Sequence, residues 1–211
     1  MKHNNEINEF IRDENHEFNA AWIASHGFVG EHTVPSCDLD VSEEMKVDSS
    51  PFMVVWLKNV ERLCRMFQKS YSFSDFVLLD VGCGSGISTL FFNHNYPFRN
   101  FYGFDFSPKL VEMAEKNKSI ASNNGFDTSS VSFKVANAKK IKLANERSAV
   151  FMFNPFTWQT MNSFIKNNLT MLKETKSVLL YANDICIKEI LDYGALVERD
   201  SFYNLSLISF R

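Results

Sequence analysis

The chain has few cysteines, and none of them is spaced for metal binding. The four are Cys37, Cys64, Cys83 and Cys186. Structural zinc sites use closely spaced cysteine or histidine pairs, and the sequence contains no such pair. We therefore expect reduced thiols in a cytoplasmic protein, with no metal site.

Long apolar runs and an excess of basic residues are missing as well. The N-terminal stretch MKHNNEINEFIRDENHEF is rich in acids and amides where a signal peptide needs an apolar core, and no run reaches the length of a membrane span. The net charge of −3 provides no positive field for a polyanion. These absences predict a soluble, intracellular protein. A membrane is excluded and a nucleic acid is disfavoured.

Two helices are predicted before the first strand. Apolar residues from Ile7 to Trp22 recur at helical spacing, which predicts an amphipathic helix over 5–25. Residues 27–50 form an irregular stretch, typical of a disordered segment or a functional loop. Ser49 or Ser50 can cap a second helix that begins with Pro51 and ends near Ser70. We expect a helical, lid-like extension over 1–50 and the main domain over 51–211.

From Phe76 onward, short apolar runs alternate with helical segments. The predicted strands are 76–81, 100–105, 131–136, 149–153 and 177–182, and the predicted helices are 86–94, 108–121, 158–173 and 184–192. This alternation predicts an α/β fold with a mostly parallel sheet and helices on both faces. Two further strand-like runs within 195–210 predict an antiparallel hairpin that completes a seven-stranded sheet.

The first predicted strand leads into a glycine-rich turn, LLDVGCGSG, at residues 78–86. Asp80 is followed by Gly82, Gly84 and Gly86, and such glycines let the backbone bend sharply and let a ligand approach it closely. A dinucleotide-binding turn has the pattern G-x-G-x-x-G, which would place glycine or alanine at position 87. Ile87 stands there instead, which disfavours nicotinamide and flavin cofactors.

Asp105 closes the next predicted strand, in the sequence FYGFDFS. It lies about 20 residues after the turn, the spacing at which an acid accepts hydrogen bonds from ribose hydroxyls. A plainer interpretation is that the glycines make only a tight turn and that Asp105 caps the helix from Pro108. The combination of strand, turn, acid and spacing favours nucleoside binding.

LLDVGCGSG followed by YGFDFSPKLVEMAEKN resembles the first two motifs of the class I S-adenosylmethionine (SAM)-dependent methyltransferases. VANAKKIKL is similar to that family's third motif, with an asparagine where the family has an acid against adenine; its amide oxygen still accepts a hydrogen bond. The resemblance spans 76–211 and implies a Rossmann-like fold, SAM as cofactor and S-adenosylhomocysteine (SAH) as product. The cofactor-binding residues that it implies are Asp80, Gly82, Cys83, Gly84, Gly86, Asp105, Phe106, Asn137, Ala138 and Asn154.

The segment VFMFNPF, residues 150–156, resembles the family's fourth motif, which lies beside the transferable methyl. Together with YAN at 181–183, it is similar to small stand-alone methyltransferases related to the non-SET histone lysine methyltransferases. The resemblance implies that Asn154 and Pro155 are catalytic. The Asn154 side-chain oxygen and nearby carbonyls would hold the hydrogens of an acceptor amine, and the proline would fix the local backbone.

The sequence leaves the methyl acceptor open. Nitrogen-methylating members of the family often carry N-P-P-[YF], whereas this chain has a single proline, so an oxygen acceptor remains an alternative. A hydroxyl acceptor usually needs a general base. We expect transfer to a nitrogen or oxygen of a small molecule or a protein side chain. A non-catalytic SAM-binding module and another Rossmann-like enzyme with a different nucleoside cofactor are the other two hypotheses.

Overall fold

A seven-stranded sheet runs through the computed structural model, which describes residues 2–30, 35, 41, 52–153 and 156–211. The strands are β1 (Val77–Val81), β2 (Phe101–Asp105), β3 (Val131–Val135), β4 (Ser148–Phe153), β5 (Val178–Ala182), β6 (Ala195–Asp200) and β7 (Leu205–Phe210). Their order across the sheet is β3-β2-β1-β4-β5-β7-β6. The first five pair in parallel, and β7 runs antiparallel to β5 and β6. The predicted sheet with its C-terminal hairpin is confirmed.

The central strands are apolar on both faces. Every residue of β1 and β5 is buried, as expected for parallel strands covered on both sides. Successive side chains point to opposite faces. Leu78 and Leu180 therefore belong to one hydrophobic cluster, and Leu79 and Leu179 belong to the other.

Helices cover both faces of this sheet. The helices are α1 (Lys2–His26), α2 (Leu57–Phe67), α3 (Ile87–Asn95), α4 (Pro108–Asn123), α5 (Trp158–Glu174) and α6 (Ile187–Leu191). The first four supply residues to one hydrophobic cluster, and α5 and α6 supply residues to the other. Within the described ranges, no helix is both long enough and apolar enough to cross a bilayer.

The start predicted for the second helix is wrong. Residues 53–56 are not helical and α2 begins at Leu57, whereas Ser49, Ser50 and Pro51 lie outside the described residues. The Leu57 N–H donates to Oδ1 of Asn19 at 2.9 Å, and Nδ2 of Asn19 donates to the Val55 carbonyl at 2.8 Å. The first free N–H groups of a helix need such an acceptor. Here the acceptor comes from α1, so no local sequence signal marks the start.

The N-terminal helix packs against the main domain. Ile23 of α1 and Phe28, just after it, are buried in the same hydrophobic cluster as residues of α2 and α3. The division of the chain at residue 50 remains a prediction. Cys64, Cys83 and Cys186 are free and buried, and Cys37 lies outside the described residues.

Candidate functional site

The glycine-rich turn lies at the carboxyl end of β1. Gly82, Gly84 and Gly86 have φ angles of 84°, 55° and 75°, a left-handed conformation that residues with a Cβ rarely adopt. The Gly86 N–H donates to the Cys83 carbonyl at 2.9 Å, and α3 begins directly after Gly86. The turn therefore passes straight from strand to helix, with its backbone in a conformation suited to glycine.

Asp80 is a buried carboxylate beside this turn, with 2% of its surface exposed. Its Oδ2 accepts hydrogen bonds from Ser88 Oγ at 2.6 Å and from Thr89 Oγ1 at 2.7 Å. Burial raises the pKa of Asp80 to about 6, although the two hydroxyl donors oppose that shift. An acid in this state gains from a nearby positive charge, because the charge offsets the desolvation of the carboxylate.

Asp105 connects the end of β2 to the glycine turn. Its Oδ2 accepts a hydrogen bond from the Gly84 N–H at 2.9 Å, and its Oδ1 accepts one from the Ser107 N–H at 2.9 Å. Burial raises the pKa of this carboxyl, and the backbone donors oppose the shift. A carboxylate offers about four acceptor sites, so two backbone bonds leave capacity for ribose hydroxyls.

The third motif lies next to Asp105. The Ala136 N–H donates to the Asp105 carbonyl at 2.8 Å, which places the following residues at the end of β2. Oδ1 of Asn137 accepts from the Lys139 N–H at 2.9 Å and so caps the short helical turn Ala138–Lys140. Ala138 is buried, and Asn137 and Phe106 are half-buried. The residues predicted for adenine and for ribose therefore lie together.

A small cavity of about 20 Å³ adjoins Asp80 and the turn, which is room for about one water molecule and far below the range of about 300–1,000 Å³ for ligand pockets. Its lining includes Gly82, Cys83, Ser85, Ile87, Ser88 and, from β4, Phe151 and Phe153. Residues 52–55 line the cavity as well. No motif in the sequence predicts that these residues lie beside the glycine turn. A Cβ on Gly84 would lie 2.2 Å from a ring carbon of Phe52, so the Phe52 ring lies directly over the turn.

The two predicted catalytic residues, Asn154 and Pro155, lie outside the described residues. Phe153 precedes them, ends β4 and lines the cavity. Among the described lining residues, Asp80 is the one carboxylate, and most of the others are aromatic, aliphatic or small. Aromatic faces attract cations. Asp80 and the aromatic rings therefore give this cavity a lining that favours a positively charged group.

Comparisons with known proteins relate the chain to methyltransferases. A family model described as a methyltransferase domain matches residues 78–175, a little under half of the chain. That segment begins within β1 and ends directly after α5, so it contains the turn, Asp105 and the third and fourth motifs. No curated protein sequence matches this chain.

Solved structures of methyltransferases share the fold. A ribosomal protein L11 methylase from Lactobacillus delbrueckii subsp. bulgaricus is 13% identical, with 73% of this chain and 80% of that chain covered and a TM-score of 0.52. An RNA methyltransferase from Salinibacter ruber, in complex with SAH, is 15% identical, with coverages of 74% and 92% and a TM-score of 0.52. A precorrin-6y C5,15-methyltransferase from Geobacter metallireducens is 12% identical, with coverages of 82% and 94% and a TM-score of 0.50. The fold is thus the Rossmann-like fold of class I methyltransferases.

Proposed function

We propose that this protein is a SAM-dependent methyltransferase that modifies a nitrogen or oxygen of a small molecule or a protein side chain. One observation carries the proposal: the glycine turn is hydrogen-bonded to the buried acid at the end of β2, through Gly84 and Asp105. The turn and the acid both lie in the segment that matches a methyltransferase domain. Proteins that bind nucleosides at this edge of a parallel sheet use the same pairing of turn and acid.

The described residues supply partners for SAM from its amino-acid end to its base, and the Phe52 ring over Gly84 would have to move to admit it. Asp80, buried and raised in pKa, would hold the ammonium group. Gly82 would let the ligand approach the backbone, and Gly84 would do so in place of the Phe52 ring. Gly86 lets the turn pack against Ala114 and Phe133, and Asp105 would accept from the ribose hydroxyls. The residues at the adenine would be Phe106, Asn137 and Ala138, and Cys83 lines the cavity beside the turn. Bound SAM supplies a methyl group on a positively charged sulfur, a good leaving group for in-line displacement.

The acceptor would approach at the end of β4. Asn154 would accept hydrogen bonds from it, Pro155 would hold the backbone that presents those acceptors, and Phe153 would exclude water. The relation to the non-SET histone lysine methyltransferases rests on the FNPF and YAN motifs and belongs to this proposal. The net charge of −3 favours a small-molecule or protein acceptor. The comparisons do not support the expectation that nucleic acid is disfavoured, since one fold neighbour is an RNA methyltransferase.

Two measurements test the proposal. Calorimetric titration with SAM, SAH and NAD should show binding of the first two only; preferential NAD binding would assign the site to another nucleoside cofactor. Methyl transfer to a panel of amines, carboxylates, peptides and RNA should then identify the acceptor class. Asn154→Ala should reduce methyl transfer by more than it weakens SAM binding. Tight SAM binding with no transfer to any acceptor would support the non-catalytic alternative instead.

A further inference from the structure

Asn117 is a fully buried asparagine in α4 that connects the N-terminal segment to the glycine turn. Its Oδ1 accepts a hydrogen bond from the Val29 N–H at 2.8 Å. Its Nδ2 donates to the carbonyls of Val29 at 2.8 Å and of Ser85 at 2.9 Å, which uses both amide hydrogens. One side chain therefore holds both main-chain polar groups of Val29 together with a carbonyl of the turn.

The residues around Val29 also contact the turn directly. Ser85 Oγ donates to the Gly30 carbonyl at 3.3 Å. Gly30 has a φ of +85°, and a Cβ there would lie 2.2 Å from Met113 Sδ and 2.9 Å from the Cβ of Ser85. Glycine is thus required for this close approach. We call residues 28–30 the docking segment. Gly30 in this segment lies against Ser85, and the neighbouring Gly84 donates its N–H to Asp105.

A second stretch of chain, residues 52–55, also covers the glycine turn, and α1 holds it in place. Asn19 of α1 bonds both the Val55 carbonyl and the Leu57 N–H, at the end of the stretch that carries Phe52 over Gly84. Two stretches of chain therefore cover the turn, residues 52–55 held by Asn19 of α1 and the docking segment held by Asn117 of α4. Of the two, only the docking segment is bonded to the turn by a buried side chain, that of Asn117.

We propose that Asn117 is a positioning residue of the cofactor site, which couples docking of residues 28–30 to the shape of the glycine turn. The inference rests on the proposed function, SAM binding at that turn. Asn117 acts through Ser85 and does not touch the cofactor. Because coupling between two binding events is reciprocal, a cofactor that binds more tightly when the segment is docked also strengthens docking by the same factor.

The chain offers a matched control for an Asn117→Leu variant. Asn168 in α5 is also buried, accepts from the Leu143 N–H at 2.8 Å and donates to the Ile141 carbonyl at 3.0 Å, but it holds a loop on the opposite face of the sheet. Each leucine leaves buried backbone groups unpaired, so both variants should lose stability to a similar extent. Only Asn117→Leu should weaken SAH binding, by about tenfold in calorimetry. The KM for SAM should rise by the same factor, with kcat at saturating SAM unchanged.

Hydrogen exchange at the Val29 amide provides a readout that does not depend on activity. Saturating SAH should slow that exchange in the wild-type protein and in Asn168→Leu, and should slow it far less in Asn117→Leu. Gly30→Ala is a second variant, which lifts the docking segment and leaves Asn117 intact, and it should weaken SAH binding as well. Wild-type SAH affinity in both Asn117→Leu and Gly30→Ala would overturn this inference alone. Failure of the wild-type protein to bind SAM or SAH would overturn the proposed function with it.

Discussion

At the scale of single residues, the role proposed for the buried carboxylate of Asp80 predicts that cofactor binding depends on pH. Its pKa is raised from 3.8 to about 6, chiefly by burial. A raised pKa means that the free folded protein binds this proton more tightly than the unfolded chain does. The contribution of Asp80 to stability therefore falls as the pH rises from 3.8 to about 6. A cationic ligand would favour the ionised form.

The affinity for SAM should consequently increase as the pH rises through about 6 and level off above it. Below that pKa, the affinity should fall by about tenfold per pH unit as the proton competes with the ammonium group. Calorimetric titrations on both sides of this pH measure the effect, and Asp80→Asn should bind more weakly without the pH dependence. An affinity that does not change across this range in the wild-type protein would remove Asp80 from the ammonium site.

Gly84 and Gly125 separate the effect of strain from that of contact. Both have positive φ, but a Cβ on Gly84 would collide with the Phe52 ring, whereas a Cβ on Gly125 would meet nothing within 4 Å. Gly125→Ala should reduce the free energy of unfolding by about 1–2 kcal/mol through strain. Gly84→Ala should reduce it by about 1–3 kcal/mol more, through overpacking. Urea denaturation measures both. Adding Phe52→Ala to Gly84→Ala should recover part of the additional loss. Equal losses in Gly84→Ala and Gly125→Ala would contradict the contact between Phe52 and Gly84.

At the scale of elements, sequence predicts structure where the signal is local. The strands β1 to β5 lie within two residues of their predicted ends, because each is a short run rich in apolar residues between more polar segments. The starts of α2 and α6 were not predictable in this way. The start of α2 is marked by Asn19, which lies in the distant helix α1. Asp184 is predicted as the first residue of α6, but it lies before that helix, where it is buried and paired with Arg199.

That ion pair fixes the C-terminal hairpin to the loop after β5. Arg199 Nε and Nη2 donate to the two oxygens of Asp184 at 2.7 and 2.8 Å, and Ser206 Oγ donates to the same carboxylate. Arg199→Met would leave a carboxylate with 1% side-chain exposure without its cation, which should lower the free energy of unfolding by about 3 kcal/mol. Lys69→Met is the matched control, because its pair with Glu198 on the same strand is exposed. It should cost less than about 1 kcal/mol. Similar losses in the two variants would contradict this role for Asp184.

At the scale of the whole molecule, the sequence predicted the placement of the glycine turn and of Asp105 better than that of the residues that cover them. Asp80, the glycines and Asp105 lie at the ends of two adjacent strands, so a short motif contains them. Phe52 and Asn117 reach the turn from distant segments. Their roles depend on packing between α1, α4 and the turn, which no local pattern encodes. Asn154 and Pro155 were predicted from a motif alone and remain a prediction.

Binding at this site should stabilise the whole fold. SAH at about 100 times its dissociation constant should add about 2.7 kcal/mol to the free energy of unfolding. For a chain of this size, that gain corresponds to a rise in Tm of about 5–11 °C. Differential scanning fluorimetry with SAH, and with NAD as the control nucleotide, measures the shift. A larger shift with NAD than with SAH would contradict the assignment of the cofactor.

The two contacts on the glycine turn also bear on how this protein can evolve. Gly30 lies against Ser85 and Phe52 lies against Gly84, so the chain leaves the turn at one residue and returns to its neighbour. Doubling the length of a loop with fixed ends costs only about 0.6 kcal/mol of closure entropy. Insertions, deletions or exchanges between Gly30 and Phe52 would therefore leave the anchors in place. Selection should therefore act more strongly on Gly30 and Phe52 than on the length of chain between them.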